Sequence, residues 1–431
     1  MNRISTVSIF IVGYVFFAIC NLFIVPNNVV GKNVLEIFLV ILISVVYLSD
    51  VSKRECRLAY ITAYITRIGL LFFSVYGRSI AMLPFDGKDT EFFYSAVIEK
   101  TSHVRYMNDV FCTITVFVSY FLGDARLLYQ FLLMMLAMLS IRLTDSIMRE
   151  LEIEENIRFV CMMLIAVFPT FAMFNVIYCR EPVIALLIIV SIYFALIGFK
   201  SKTIGNRLLY CFLSFVFGVI GCFFHAACVS TVIGIVIAGF LYDWDKGEMR
   251  ISKKSVFVGL VLVLILCILY RFLPWKYGSG FQIKDLAERF MFESNLNAGS
   301  SYAKYVGDSS TWGRFFLYTP ARMFYAMFSP LPWQWRGMLD IVTFFLNSLL
   351  YLIVFVIGII NTFKKEYWNY YNKWLVLIAL VASVIIGWGS TAFGNSLRHR
   401  DKFFLLFVVL LALEIRGKDK KITPSVQKRG M

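Results

Sequence analysis

The chain has 431 residues, of which 60% are hydrophobic and 16% are charged, and its mean hydropathy is +0.76. A soluble chain of this size is roughly half apolar and about a quarter charged. This composition excludes a soluble enzyme, a secreted disulfide scaffold and a nucleic-acid-binding domain as the main body. The net charge of +15 does not indicate nucleic acid, because the basic residues lie at the ends of apolar runs, where cytoplasmic loops collect Lys and Arg.

Apolar runs of roughly 15–20 residues recur along the chain, and that length crosses a hydrocarbon core of about 30 Å. They cover residues 7–25, 34–49, 58–76, 110–122, 127–143, 159–178, 182–199, 208–224, 228–243, 255–273, 341–361, 374–393 and 403–416. The pattern predicts an all-α, polytopic membrane protein. The nine cysteines are scattered, mostly within these runs, and are typical of small core residues rather than disulfides.

The basic loops set the topology. Residues 53–57 and 200–207 are both rich in Lys and Arg and are both expected in the cytoplasm. Five apolar runs lie between them, whereas two loops on one side require an even number of crossings. We therefore expect the shortest run, Val110–Leu122, to lie in or dip into the outer interface. The result is about 12 transmembrane helices with both termini, including the basic tail 417–431, in the cytoplasm.

Two long segments are then expected on the outer side, at residues 77–109 and 274–340. Their aromatic residues and prolines predict short interfacial or re-entrant helices, because Trp and Tyr settle at the membrane–water boundary. The sequence contains no internal repeat and no flexible linker, so residues 1–431 are interpreted as one integral-membrane domain. Nucleotide-binding loops, serine-hydrolase motifs and zinc motifs are absent from the sequence.

The first outer segment contains the acidic residues Asp86 and Asp89. Three residues apart, they would share one face of a helical turn. Such carboxylates suit either a general base for a hydroxyl or the oxygen ligands of a divalent metal ion. The alternative is a solvated loop around an Asp-Gly turn.

The pair Arg180-Glu181 lies between two apolar runs, with a proline at the start of the second run. An arginine at this depth needs a partner or a wet cavity, and its planar fork suits phosphate oxygens. The alternative is a salt bridge, for which Glu181 itself is a candidate partner.

His225 lies in a Phe-His hairpin and suits a proton shuttle or a donor to phosphate, although a histidine at a helix bend is often merely hydrogen-bonded. Arg398 and Arg400 precede the last apolar run and predict an anion site, or else an ordinary charged helix boundary. In the second outer segment, Arg314 and Arg322 stand among aromatic residues, a combination that suits sugars and phosphates or lipid headgroups. Arg67, inside a predicted span, requires a partner.

Three stretches together resemble the EpsG/Wzy-type exopolysaccharide and O-antigen polymerases, within the wider GT-C-like class of integral-membrane glycosyltransferases. They are Arg78 with the acidic stretch 86–94, the Arg180-Glu-Pro-Val-Ile-Ala185 opening of a span, and the hairpin Phe224-His225-Ala-Ala. The order of an acidic-Tyr outer loop, an Arg…Ala span and a Phe-His hairpin carries the resemblance.

The resemblance implies glycosyl transfer at the outer face of a bacterial cytoplasmic membrane. The donor and the acceptor would be oligosaccharides linked to undecaprenyl (pyro)phosphate, and the arginines, Arg78 among them, would hold the phosphate. A carboxylate or His225 would take the proton of the acceptor hydroxyl. The resemblance implies no fixed cofactor and leaves a divalent metal ion open. A flippase and a chain-length regulator would be its protein partners. A transferase of single sugars from polyprenyl phosphate and a transporter of lipid-linked oligosaccharide remain alternatives.

Overall fold

The structure, a computed structural model, describes residues 6–23, 29–52, 54–84, 86–99, 110–243, 248–249, 302, 305–306, 312–362, 370–390 and 392–416. Within these ranges the chain is almost entirely helical. The strand pairing in this part of the chain is one antiparallel bridge between β1 (Tyr242–Asp243) and β2 (Glu248–Met249). The predicted run 255–273 and the tail 417–431 lie outside the described residues, as does most of the segment 274–311.

The described helices follow one another in the order α1 (Thr6–Phe23), α2 (Val29–Val51), α3 (Arg57–Tyr76), α4 (Lys88–Ile98), α5 (Val110–Leu122), α6 (Arg126–Glu150), α7 (Glu155–Val167), α8 (Pro169–Phe174), α9 (Glu181–Lys200), α10 (Ile204–Phe224), α11 (Val229–Leu241), α12 (Trp312–Leu317), α13 (Thr319–Phe328), α14 (Met338–Thr343), α15 (Leu349–Thr362), α16 (Tyr370–Gly389), α17 (Phe393–Asp401) and α18 (Phe404–Ile415). A π-helical segment, Phe344–Ser348, joins α14 to α15. Short 3-10 turns lie at Ala226–Cys228 and Pro332–Gln334.

Six described helical stretches are long and apolar enough to cross a membrane: Val30–Val51, Arg57–Tyr76, Arg126–Glu150, Glu181–Lys200, Ile204–Phe224 and Met338–Gly358. Shorter apolar helices accompany them, among them Val110–Leu122 and Phe404–Ile415. The chain is therefore a helical membrane protein. At 1.5 Å per residue, the 13 residues of Val110–Leu122 measure about 20 Å, which is less than a hydrocarbon core. The non-spanning role of this helix and the count of about 12 spans stay predictions.

Polar residues lie at both ends of the helix bundle. We call the end that holds Tyr76, Arg126 and Glu181 the site end, and the end that holds Glu150 and Lys200 the opposite end. Lys200 Nζ lies 3.1 Å from Glu150 Oε2, which joins the last turns of α6 and α9 at the opposite end. Helix α9 packs between α6 and α10, so the starts of α6 and α9 and the end of α10 meet at the site end.

The run 159–178, predicted as one span, is two helices broken before Pro169. Proline has no N–H, so the carbonyl of Ile165, four residues earlier, loses its helical donor. Arg67 supplies that donor: Nη2 lies 3.1 Å from the Ile165 oxygen and Nη1 lies 3.3 Å from the Ala166 oxygen. The buried arginine that the sequence left without a partner thus satisfies the end of a broken helix.

Helices α13 and α16 pack closely at the site end. A methyl group at Gly387 would lie 2.8 Å from the backbone nitrogen of Met323, so only glycine permits this approach. Next to it, Trp388 Nε1 donates to Thr319 Oγ1 at 2.9 Å. This contact buries Arg322, which lies beside Met323 in α13.

Candidate functional site

Asp86 lies just before α4 and is buried, with 1% of its surface exposed. Its Oδ2 accepts a hydrogen bond from Ser74 Oγ at 3.0 Å, and its Oδ1 accepts one from Thr90 Oγ1 at 2.8 Å. Arg78 Nη2 lies 3.3 Å from Oδ1, while Arg78 Nη1 donates to Glu91. Donors therefore occupy both oxygens of Asp86, an arrangement typical of a structural carboxylate.

Arg126, the first residue of α6, completes this acidic-loop cluster of Arg78, Asp86, Glu91 and Arg126. Its Nη2 lies 2.8 Å from Glu91 Oε1, and its guanidinium carbon lies 4.7 Å from the centre of the Tyr94 ring. Partial burial would raise the pKa of Glu91, but the two arginines outweigh it and lower that pKa. Two arginines thus balance two carboxylates in this cluster, which leaves it without excess charge.

The base or metal-ligand role predicted for Asp86 and Asp89 stays a prediction. The side chain of Asp89 lies outside the described residues, and Asp86 has arginine neighbours that disfavour a cation beside it. Among the described residues, no group of three or more His, Cys, Asp and Glu side chains is placed to hold a metal ion. The described residues therefore do not fit a divalent metal.

A short segment before α9 connects the acidic-loop cluster to a second polar group. Gln130 Nε2 donates to Ser74 Oγ at 3.0 Å and to the Val176 carbonyl at 2.9 Å, which anchors the segment to α3 and α6. At the end of the segment, the guanidinium carbon of Arg180 lies 5.9 Å from the centre of the Phe93 ring. Arg180 thus stands between the two groups.

We call the second group the Glu181 cluster, consisting of Arg180, Glu181, Arg398 and Lys402. Glu181 begins α9 and is 4% exposed. Its Oε1 accepts a hydrogen bond from Arg398 Nε and lies 3.6 Å from Lys402 Nζ. The Lys402 side chain is 1% exposed, and Arg180 adds its charge to the same carboxylate. Three cations therefore surround one carboxylate.

Two histidines adjoin the Glu181 cluster. Lys402 Nζ lies 3.0 Å from His399 Nδ1, and the rings of His399 and His225 are 4.9 Å apart. Ala227 N donates to His225 Nδ1 at 3.0 Å. Burial lowers the pKa of Lys402 to about 7, although Glu181 acts against this shift. Burial, with the charge of Lys402, also lowers the pKa of His399 well below its ordinary value.

This arrangement is suited to binding an anion. Three cationic side chains act on one carboxylate here, and positive charge that is removed from water favours a nearby anion. The N-terminus of α9, where Glu181 lies, adds the positive end of a helix dipole. Arginine forks bind phosphate oxygens in pairs. The phosphate site predicted at Arg180 and Arg398 therefore has the electrostatics it requires, and its occupancy by phosphate stays a prediction.

Arg400 has a different place from Arg398, because two residues correspond to about 200° around a helix. Arg400 is fully buried and points its donors at the Met327 carbonyl, 2.6 Å away, and at Ser348 Oγ, 2.8 Å away. It therefore joins α17 to α13 and to the π-helical segment. This geometry favours a structural role for Arg400 over substrate contact.

The other predicted binding residues lie apart along the second outer segment. Arg322 is buried where α13 packs on α16, and Arg314 is exposed on α12. Sequence reasoning missed Lys402 and gave His399 no role. A signal existed for Lys402, because it follows Arg398 by four residues, the spacing that places two side chains on one helical face.

Comparisons of the chain with protein-family models, with curated proteins and with solved structures found no match. A function for the chain therefore has to follow from its membrane architecture and from the chemistry of the Glu181 cluster. The cluster lies at one end of the bundle, beside helices long enough to span a membrane.

Proposed function

We propose that this chain is a membrane glycosyltransferase that polymerises oligosaccharide repeat units carried on undecaprenyl pyrophosphate. The site end would face outward from a bacterial cytoplasmic membrane, in the biosynthesis of O-antigen, capsule or exopolysaccharide. The observation that carries the proposal is the Glu181 cluster, where three buried or half-buried cations share one carboxylate. The pyrophosphate of a lipid-linked sugar carries the negative charge and the oxygens that such cations bind.

In the proposed reaction, an acceptor hydroxyl oxygen bonds to the anomeric carbon of the donor sugar. The bond from that carbon to the phosphate oxygen breaks, its electron pair stays on the phosphate, and the hydroxyl proton passes to a base. Arg180, Arg398 and Lys402 would stabilise the charge that develops on the departing phosphate, usually the largest electrostatic contribution to such a reaction. Asp89 and His225 are the candidates for the base, whereas the donors around Asp86 make it a weaker one.

The opposite end also pairs charges within the fold. There, Arg158 lies 2.6 Å from Glu55 and 2.9 Å from Asp145, and Arg149 lies 2.8 Å from Asp145. In that group two arginines meet two carboxylates, whereas at the Glu181 cluster the charges of Arg180, Arg398 and Lys402 act on one carboxylate, and we therefore favour the site end for an anionic ligand.

A transporter of lipid-linked oligosaccharide is less well supported. It would use charged groups deep in the membrane along the path of its substrate. Arg67 lies inside a predicted span, and its guanidinium donates to the carbonyls of Ile165 and Ala166. A transferase that adds one sugar from a polyprenyl-phosphate donor shares the Glu181 cluster and is separated from a polymerase by its product.

The test begins with a strain that lacks the gene. We expect its surface glycan to collapse to single repeat units on gels, with lipid-linked repeat units accumulating in the membrane. Purified protein in proteoliposomes should convert this extracted lipid fraction into a ladder of longer glycans. A product larger by one sugar would replace the polymerase with the single-addition transferase. Movement of unchanged lipid across the bilayer would replace it with a transporter, and no change in the lipid would refute all three.

The orientation is tested separately by labelling single cysteines in a cysteine-free background. Lys88 begins α4 at the site end, and Lys202 follows α9 at the opposite end. We expect a membrane-impermeant reagent to label a cysteine at position 88 in intact cells, and a cysteine at position 202 only after the membrane is opened. Labelling of both from the same side would refute the outward orientation of the site end.

A further inference from the structure

Helix α17 ends at the Glu181 cluster and presents two of its cations. Lys402 follows the last residue of α17 with helical backbone angles, φ −61° and ψ −28°. Arg398 and Lys402 are four residues apart and therefore share one face of the helix, the face that meets Glu181. The direction in which these two cations point depends on how the end of α17 is held.

Asp401, the last residue of α17, ties this end to other helices. It is 3% exposed, and its Oδ1 accepts hydrogen bonds from Asn347 Nδ2 at 3.0 Å and from the Tyr351 hydroxyl at 2.9 Å. Asn347 and Tyr351 both lie in the apolar stretch Met338–Gly358, which is long enough to span a membrane. Asn347 Nδ2 also donates to Thr170 Oγ1 at 2.7 Å, which adds α8 to the network. Asp401 thus joins α17 to helices that do not contribute to the Glu181 cluster.

Arg400, one residue earlier, is anchored in the same region. Its guanidinium donates to Ser348 Oγ at 2.8 Å, so two adjacent residues of α17 bind the adjacent residues Asn347 and Ser348 of the π-helical segment. A π-helical turn carries one extra residue and is frequent at functional sites. The two anchors hold one side of α17, while the cations of the Glu181 cluster project from another.

We propose that Asp401 is a positioning residue, which fixes the end of α17 so that Lys402 meets the phosphate of a lipid carrier. The inference rests on the proposed function, because that phosphate is taken as the ligand of the Glu181 cluster. Asp401 acts here as a hydrogen-bond acceptor rather than as a charge, since a negative charge near the cluster opposes the binding of an anion. A neutral side chain of the same shape that keeps the acceptor should therefore serve equally well.

His399 reports the position of Lys402, because its Nδ1 lies 3.0 Å from Lys402 Nζ. The chain contains three histidines, so labelling with ¹⁵N-histidine gives few ring signals, and His399→Gln identifies those of His399. Lys402→Met gives the signals of this ring without the lysine beside it. At pH 6, we expect Asp401→Leu, which has no acceptor, to move the His399 signals of the protein in detergent towards those of Lys402→Met. Asp401→Asn keeps an oxygen at Oδ1 and should leave them where they are in the parent protein.

Two results of these spectra would overturn the proposal. One is an Asp401→Leu protein whose His399 signals coincide with those of the parent protein, because Lys402 would then not depend on the anchor. The other is an equal displacement in Asp401→Leu and Asp401→Asn, because the charge and not the acceptor would then hold Lys402 in place.

Phosphate binding is measured with undecaprenyl phosphate in the micelles and, in a parallel titration, with inorganic phosphate. The removal of a negative charge by itself favours an anion, so a merely electrostatic role predicts equal or tighter binding in both variants. We expect the opposite sign for Asp401→Leu, whose affinity for both probes should fall by about tenfold, or about 1.4 kcal/mol, while Asp401→Asn stays near the parent protein. Weaker binding of the lipid alone would contradict the proposal, because a displaced Lys402 should affect the phosphate group of either probe, and so would an unchanged affinity for both.

Tyr351→Phe removes one donor to Asp401 and leaves every charge in place, so it remains informative if Asp401→Leu fails to fold. Tyr60→Phe is the matched control, because the Tyr60 hydroxyl donates to the buried Asp145 at the same distance of 2.9 Å, at the opposite end. Both variants should lose a similar amount of stability, but only Tyr351→Phe should displace the His399 signals and weaken phosphate binding, by about threefold. A purely structural role predicts that both variants alike, or neither, change these readouts, and either result counts against the proposal.

The spectra of the ligand-free protein require neither a substrate nor sugar transfer, which separates this inference from the proposed function. A protein that shows the expected effects on the spectra and on phosphate binding but makes no polymer keeps the inference and loses the proposed function. A protein that polymerises repeat units and shows neither effect keeps the proposed function and loses the inference.

Discussion

Replacing Glu181 with glutamine removes the one negative charge of the Glu181 cluster and keeps the shape of the side chain. The carboxylate oxygen is 3.6 Å from Lys402 Nζ and accepts a hydrogen bond from Arg398, with Lys402 and Glu181 almost fully buried. At an effective dielectric of about 20, one pair at this distance is worth about 4–5 kcal/mol before the cost of burying the ions is subtracted. In Glu181→Gln, Lys402 and Arg398 lose this carboxylate, so we expect a loss of about 3–5 kcal/mol of unfolding free energy.

A bound anion should compensate for the missing carboxylate. Undecaprenyl phosphate at a concentration of 100 Kd stabilises a protein by about 2.7 kcal/mol. A site with one negative charge fewer should bind this anion about tenfold more tightly, and at a fixed ligand concentration this adds about 1.4 kcal/mol. We therefore expect undecaprenyl phosphate to stabilise Glu181→Gln more than the parent protein.

The assay is denaturant unfolding of the purified protein in detergent, with and without undecaprenyl phosphate. Glu150→Gln is the matched control, because it removes a carboxylate from a largely exposed pair with Lys200 and should cost less than about 1 kcal/mol with no effect on ligand stabilisation. Adding Arg398→Gln to Glu181→Gln should recover part of the stability, since it removes a cation that has lost the carboxylate of Glu181. If Glu181→Gln is as stable as the control and gains nothing from the anion, the reasoning about excess charge is wrong.

Three further outcomes are expected. Arg67→Met should lower the unfolding free energy by about 2–4 kcal/mol, because it removes the donor to the carbonyl groups at the end of a broken helix. Pro169→Ala restores a backbone N–H and should reduce that loss. Additive effects of the two substitutions in a double-mutant cycle would contradict the link between Arg67 and the break at Pro169. The pKa of Lys402 lies at about 7, so its ammonium form is present below pH 7 and is lost as the pH rises. The difference in undecaprenyl phosphate affinity between the parent protein and Lys402→Met should therefore shrink from pH 6 to pH 8. A constant difference in binding titrations would refute this. Gly387→Ala should destabilise the protein by about 1–3 kcal/mol through overpacking against the neighbouring helix, whereas Gly389→Ala, with open space around it, should cost less than about 1 kcal/mol in the same unfolding assay.

The membrane class of this protein is a property of its sequence. Apolar runs long enough to cross a bilayer determine helices locally, because a backbone in lipid must satisfy its own hydrogen bonds. The break at Pro169 was also visible in principle, since a proline inside an apolar run removes one helical hydrogen bond. Hydropathy alone predicts a single span for residues 159–178, because hydropathy measures the transfer of side chains into lipid and not the hydrogen bonding of the backbone. The number of spans and their orientation stay predictions.

The candidate site depended on the tertiary structure. Arg180 and Glu181 are adjacent in sequence, and a local salt bridge between them was the natural alternative to a phosphate site. Instead, Glu181 bonds to Arg398, 217 residues away, while the charge of Arg180 acts on the same carboxylate. Likewise, Arg398 and Arg400 look equivalent in the sequence, but their opposite helical faces direct one to the cluster and the other to carbonyl groups.

The sequence thus determined which polar residues had to find partners, because an isolated charge among apolar helices is costly wherever it lies. Only the packing of the helices decided which partner each one found. Arg67 found the carbonyls of a broken helix, and Asp86 found hydroxyls and an arginine. At Glu181, cations from helices far apart in sequence act on one carboxylate, a long-range pairing that no local pattern encodes.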